Sequence, residues 1–125
     1  MQSTPIFLAT MIASIFFLLA GVLTLIFPPK RINSLYGYRT KNSMKSQSSW
    51  DYAQKYSGWE IIKWGIILFV CSLIGLQYDL GKSLETVIGL SILVVVIFMF
   101  ILRTEQALKK YSLAEKQSQI NNIIN

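Results

Sequence analysis

Residues 5–27 read PIFLATMIASIFFLLAGVLTLIF, an apolar run without a single charged side chain. Crossing a hydrocarbon core about 30 Å thick takes roughly 20 apolar residues in a helix, and at 1.5 Å per residue this run covers roughly 35 Å. Pro5 suits a helix start, where its missing N–H would have had no intrahelical partner. Pro28 and Pro29 stop the helix at the other end. A cleavable signal peptide fits poorly. No basic segment precedes the run, the run is too long, and Pro28-Pro29 is not a small-residue cleavage site. It reads as a retained first membrane span.

Moving outward, no charge occurs from 64 to 78 or from 86 to 102. The chain is 53% hydrophobic and only 14% charged, against about a quarter charged for a soluble domain, and the deficit lies in these windows. They predict a second span over about 59–78 and a third over 84–102. Trp59 and Tyr78 suit the head-group level at either end of the second. The third is rich in β-branched residues, VVVIF at 94–98, but its length and uncharged character favour a membrane helix over a strand. DLGKS, at 79–83, is short and turn-like, so spans two and three form an antiparallel hairpin. The fold class is therefore an all-α membrane protein in one domain, 1–125. It has three transmembrane helices, a structured basic loop over 28–58 and a polar tail over 103–125. In the tail, Glu105 and Lys109 at i, i+4 extend the helix a few turns past the membrane, and QSQINNIIN is expected to fray.

The net charge of +6 could suggest a nucleic-acid partner, but hydropathy overrules that reading, and basic residues flanking spans report topology and anionic lipid. Lys30, Arg31, Arg39, Lys41, Lys45 and Lys55 lie in the first loop, Lys82 in the second, and Arg103, Lys109, Lys110 and Lys116 in the tail. Three spans put the two basic segments on one side, which the positive-inside rule makes cytoplasmic. The expected location is the cell membrane, multi-pass, with the N-terminus outside and the C-terminus inside. The chain has no histidine, and Cys71 stands alone. That removes the usual general base, the commonest metal ligand and any internal disulfide. No cofactor, metal or catalytic residue is expected. Glu60, Asp51 and Arg39 could be imagined as an enzyme's groups, but no nucleophile–base pair accompanies them.

The first loop holds the most particular stretch. Asn33 can bond its own backbone, and Gly37 supplies a backbone freedom that other residues lack. Tyr36 and Tyr38 are amphipathic enough for the membrane surface, and Arg39, beside Thr40, offers a planar fork for a carboxylate or a lipid phosphate. Arg39 is either a topology charge or a bidentate contact, with Glu60 or Asp51, that locks the loop on span two. Ser48 and Asp51 fit a capping box. The helix they start carries Trp50, Ala53, Ser57 and Trp64 on one broad side; it either seats the loop on the bilayer or continues into span two. Glu60 and Lys63 can face one another, as an interfacial pair or as part of a polar pocket under the loop. Gly58, Gly65 and Ser72 recur every seven residues, with Gly75 one turn beyond. They permit close packing, on another span or on a second copy of the chain.

The run N-x-x-Y-G-Y-R-T at 33–40, a tryptophan at 50 and Gly-Trp at 58–59 resemble the SdpI family of bacterial membrane proteins. The resemblance implies that Asn33, Tyr36, Gly37, Arg39, Thr40 and Trp50 are signature positions. Tyr38, Trp59 and Glu60 complete the candidate partner-binding set. It also implies a non-enzymatic role, since members include immunity proteins that protect Gram-positive producers from a secreted, membrane-active killing peptide. Expected partners are the lipid bilayer, a secreted peptide toxin, and a homo-oligomer or another membrane protein. Small-residue faces of the spans would bind the apolar peptide, and an acidic partner would suit the loop. The alternative is an accessory or sensory subunit of a membrane transporter or signalling complex.

Overall fold

The structure is a computed structural model that describes residues 5–125. Three helices follow one another: α1 (Pro5–Ile26), α2 (Gln47–Gly75) and α3 (Lys82–Ile124), and no strand occurs among the described residues. All three are long and apolar enough to cross a membrane, which fits a multi-pass membrane protein. α2 is central and packs on both neighbours, whereas α1 and α3 touch least.

Burial is inverted relative to a water-soluble bundle. The buried residues of α1 are Phe7, Thr10, Ser14 and Gly21, while Phe16, Leu19, Leu23 and Ile26 point outward and are more than half exposed. Lipid solvates large apolar side chains as well as a protein core does, so small and weakly polar residues are the ones placed between helices. Ser72 Oγ donates to Thr10 Oγ1 at 2.9 Å across the α1–α2 contact, and also lies 2.7 Å from Leu68 O. The small-residue face of α2 is used within the chain. A Cβ on Gly58 would come within 2.8 Å of Leu25, one on Gly65 within 3.1 Å of Leu18, and one on Gly75 within 2.4 Å of Phe7.

Three element boundaries differ from the sequence reading. The capping box does not form at Ser48: Ser46 is the N-cap, accepting from Ser49 N at 3.1 Å. Ser48 Oγ instead donates to Glu115 at 2.8 Å, and Asp51 Oδ1 accepts from Gln47 Nε2 at 2.8 Å. With serines at 46, 48 and 49, the choice of cap rests on a partner 67 residues away. The helix that begins there continues unbroken into the second span, which ends at Gly75 rather than near Tyr78. The tail does not fray after a few turns. α3 runs 43 residues to Ile124 and takes in nearly all of QSQINNIIN.

A helix of that length measures roughly 65 Å, about twice the hydrocarbon core. Its second half therefore leaves the three-helix layer beside the first turns of α2. Tyr52 stacks on Tyr111 with ring centroids 4.3 Å apart and planes 10° apart, and Ser48 reaches Glu115. The result is a two-helix stalk at the end of the bundle where the α1–α2 loop lies.

Candidate functional site

The loop over 27–46 is a folded cover built from local polar contacts. Asn33 Oδ1 accepts from the backbone N–H groups of Leu35 and Tyr36, both at 2.9 Å, and its Nδ2 donates to Arg31 O. That is the side-chain-made turn expected of asparagine. Tyr36 hydroxyl ties the turn to the end of α1 through Phe27 O at 3.0 Å. Gly37 follows with φ of +110°, and a Cβ there would lie 2.7 Å from Gln54 Oε1 and 2.8 Å from Pro29. Conformation and space both demand glycine at this position.

The close approach at Gly37 lets α2 hold the loop by its backbone. Gln54, buried, accepts from Tyr38 N at 2.7 Å and donates to Tyr38 O at 3.0 Å. Trp50, fully buried, donates its indole N–H to Pro29 O at 2.7 Å. The Pro28-Pro29 segment that ends α1 is thereby pinned to the start of α2. Ser43, also buried, closes the next turn by donating to Tyr38 O and accepting from Thr40 N.

The loop converges on a carboxylate of α3. Glu105 Oε1 accepts from Tyr38 hydroxyl at 2.8 Å and from Thr40 Oγ1 at 2.7 Å, while its Oε2 accepts from Asn42 Nδ2 at 2.6 Å. The Tyr38 ring meets Phe100 edge-on, centroids 5.8 Å apart. Burial acts to raise the Glu105 pKa, but hydrogen bonds from Asn42, Thr40 and Tyr38, helped by the Lys109 charge, outweigh it and hold the carboxyl below its ordinary value. The Tyr38 phenol is pushed up, first by burial and then by its bond to Glu105 and that group's charge. Both groups keep their usual charge near neutrality: an anion clasped by neutral donors.

A second carboxylate, Glu60, is buried one layer into the helices. It pairs with Lys63, accepts from Trp64 Nε1 at 3.1 Å and lies 3.7 Å from Arg103 Nε. Lys63 and Arg103 stay about half exposed, so their heads reach outward while their charge neutralises Glu60. The arrangement joins α2 to α3 as well as forming the pair within α2.

The candidate residues therefore fall into separate places. Asn33, Tyr36, Gly37, Tyr38 and Thr40 build the cover, and Trp50 anchors its base. Arg39 contacts neither Glu60 nor Asp51; its guanidinium donates to Ser34 O within the loop. The local turn set by Asn33 brings that carbonyl to it, and Glu60 is already supplied with cations. Trp59 is 55% exposed and lines a groove of about 600 Å³ with Leu25, Pro29, Lys30 and Lys55. Sequence reasoning missed Glu105, Gln54 and Ser43. The only available signal was an acidic residue just past an uncharged span, at 105, on the side holding the basic loop.

The model of the SdpI/YfhL protein family matches residues 30–102, more than half of the chain. The chain belongs to this family. A Bacillus subtilis (strain 168) relative, "Uncharacterized protein YfhL", is 37% identical over 92 residues, covering 74% of this chain and 78% of the relative. No solved structure matches the chain. The SdpI/YfhL match takes in the cover from Lys30 onward, α2 and the membrane part of α3, and ends three residues before Glu105. Among the described residues no cluster of His, Cys, Asp and Glu could hold a metal ion.

Proposed function

We propose that the protein is a non-enzymatic membrane immunity protein that protects the cell against a secreted, membrane-active peptide toxin. Membership of the SdpI/YfhL family carries this reading. Two features support it. The outward faces of the spans are broad and apolar, with Phe16, Leu19, Val94 and Phe98 each more than half exposed, and an apolar peptide in the bilayer can pack there. Gly58, Gly65 and Ser72 are already covered by α1 and are not the binding face. The opposite part of the machine is basic: every Lys and Arg except Lys63, within α2, and Lys82 lies in or beside the loop and the α3 extension. In this reading that end is cytoplasmic, the N-terminus is outside, and the loop meets an acidic partner or lipid there.

An accessory or sensory subunit is the second reading. The α3 extension favours it, because Leu113, Ile120, Ile123 and Ile124 are exposed on a helix that outruns the bundle. Stoichiometric co-purification with a permease or kinase separates this from a lone monomer or homodimer.

The deciding experiment challenges a toxin-sensitive bacterium expressing the protein with the secreted killing peptide, while membrane potential is followed. Arg39→Ala at matched membrane abundance is the control. Protection that is lost in the variant places the cover in the mechanism. Protection retained by the variant moves it to the spans. A correctly inserted protein that gives no protection overturns immunity to that toxin.

A further inference from the structure

At the end of the bundle opposite the loop, a groove of about 390 Å³ is lined by Pro5, Ile6, Ala9, Lys82, Glu85 and Thr86. Glu85 is fully buried. Its Oε1 accepts from Leu80 N at 3.0 Å, capping the turn before α3. Its Oε2 is buried without any hydrogen-bond partner. A buried carboxylate oxygen left without a donor is costly, and such exceptions call for a cause.

Among the described residues that line the groove, none supplies that donor. Pro5 has no N–H, Ile6 and Ala9 are apolar, and Thr86 Oγ1 is committed to Lys82 O at 2.7 Å. Lys82 lies one helical turn before Glu85 but is exposed, and among the described residues the only ion pairs are those of Glu60. The groove thus offers a buried acceptor that lacks a donor, a free cation one turn away, and an apolar wall on α1.

We propose that this groove binds the head group of phosphatidylethanolamine, its primary ammonium donating to Glu85 Oε2 and its phosphate meeting Lys82. The complementarity is specific. In ethanolamine phosphate an ammonium and an anion are separated by two carbons, and residues at i, i+3 have their Cβ atoms about 5–6 Å apart on a helix face, so Glu85 and Lys82 can face the two ends of one head group. The acyl chains then run along Ile6 and Ala9 into the bilayer. Phosphatidylcholine has the same phosphate, but its quaternary nitrogen has no N–H, so Oε2 stays unpaired and the lipid is disfavoured.

The test is native mass spectrometry of the full-length protein in detergent. Phosphatidylethanolamine, its N-methyl and N,N-dimethyl forms and phosphatidylcholine are offered at equal concentration with matched acyl chains. Retention is expected to fall with each methyl group, by about tenfold across the series. Glu85→Gln, which keeps an acceptor for Leu80 N–H, should retain the first and last lipids equally. Lys82→Gln should weaken all four without changing their ratio. Equal retention on the unaltered protein, or a preference that survives Glu85→Gln, overturns the assignment. Binding of hexylammonium with no discrimination among lipids overturns it too, and gives the groove to a non-lipid amine. If Glu85→Gln does not fold, the methylation series on the unaltered protein decides alone.

Discussion

Glu105 is the residue on which the cover depends, and its chemistry makes the dependence measurable. Three neutral donors from the loop converge on one carboxylate of α3, and a hydrogen bond to a charged group contributes about 1.5–3 kcal/mol. Because the folded protein holds this carboxyl below the ordinary value of 4.5, the unfolded chain takes up the proton first on acidification. The contribution is therefore fully present above 4.5 and is lost as pH falls through the lowered folded value. Glu105→Gln is expected to cost about 2 kcal/mol at neutral pH. Thermal unfolding in detergent should show the gap between the two proteins constant above about pH 5 and closing below it. A gap that widens on acidification would remove the clasped-anion account. Asn33 and Gly37 could be read from sequence because their effects are local: a side chain bonding its own turn, and a backbone angle that glycine tolerates. Glu105 was not legible as their anchor, since its partners at 38, 40 and 42 are joined to it only by packing.

At the scale of the element, α2 shows what small residues accomplish in lipid. Gly75 meets the Phe7 ring, where a Cβ would come within 2.4 Å of ring carbons, and Phe7 is 3% exposed and cannot swing away freely. Gly81 has φ of +87° with nothing within 4 Å of a Cβ. The two glycines therefore separate crowding from backbone strain. Gly81→Ala should cost about 1–3 kcal/mol, from its backbone alone, since φ of +87° with ψ of 143° lies next to a region that is essentially restricted to glycine. Gly75→Ala should cost about 1–3 kcal/mol by forcing the α1–α2 contact apart. Thermal unfolding of the two variants in one detergent checks both costs; a variant at either position as stable as the unaltered protein would refute the account of that glycine. The seven-residue spacing announced a close contact, but only the fold says that α1 fills it. Helix ends were less legible. Ser46 and Ser48 are equally good caps in sequence, and Glu115 decides between them by engaging Ser48. The tail was underestimated because its polar surface gives little hydrophobic period, whereas the Tyr52–Tyr111 stack supports its helix from the side.

For the whole molecule, contacts between loop and tail constrain topology independently of charge. Tyr38 and Thr40 bond Glu105, and Ser48 bonds Glu115, so residues 38–48 and 105–115 must share one side of the bilayer. In the orientation proposed above from the positive-inside rule, that side is the cytoplasm. A phosphatase reporter active only outside the cytoplasm should be silent when fused after Asn125 or inserted near Lys45, and active when inserted near Gly81. Opposite signals at 45 and 125 would contradict the fold itself. Signals that agree but are reversed would contradict only the charge rule.

The three spans, their order, the hairpin at 79–83 and the basic character of one end were determined by sequence alone. Each depends on the free energy of moving a contiguous stretch, or a local excess of charge, between water and lipid. Glycine at 37 belongs with them, through its backbone angle. What covers Gly58, Gly65 and Gly75, which serine caps α2, where Arg39 points and what Glu105 holds were decided only by tertiary structure. Those contacts join residues far apart in the chain, and in lipid no difference in hydrophobicity marks which apolar face turns inward. Packing of small residues and the satisfaction of a few buried polar atoms make that choice.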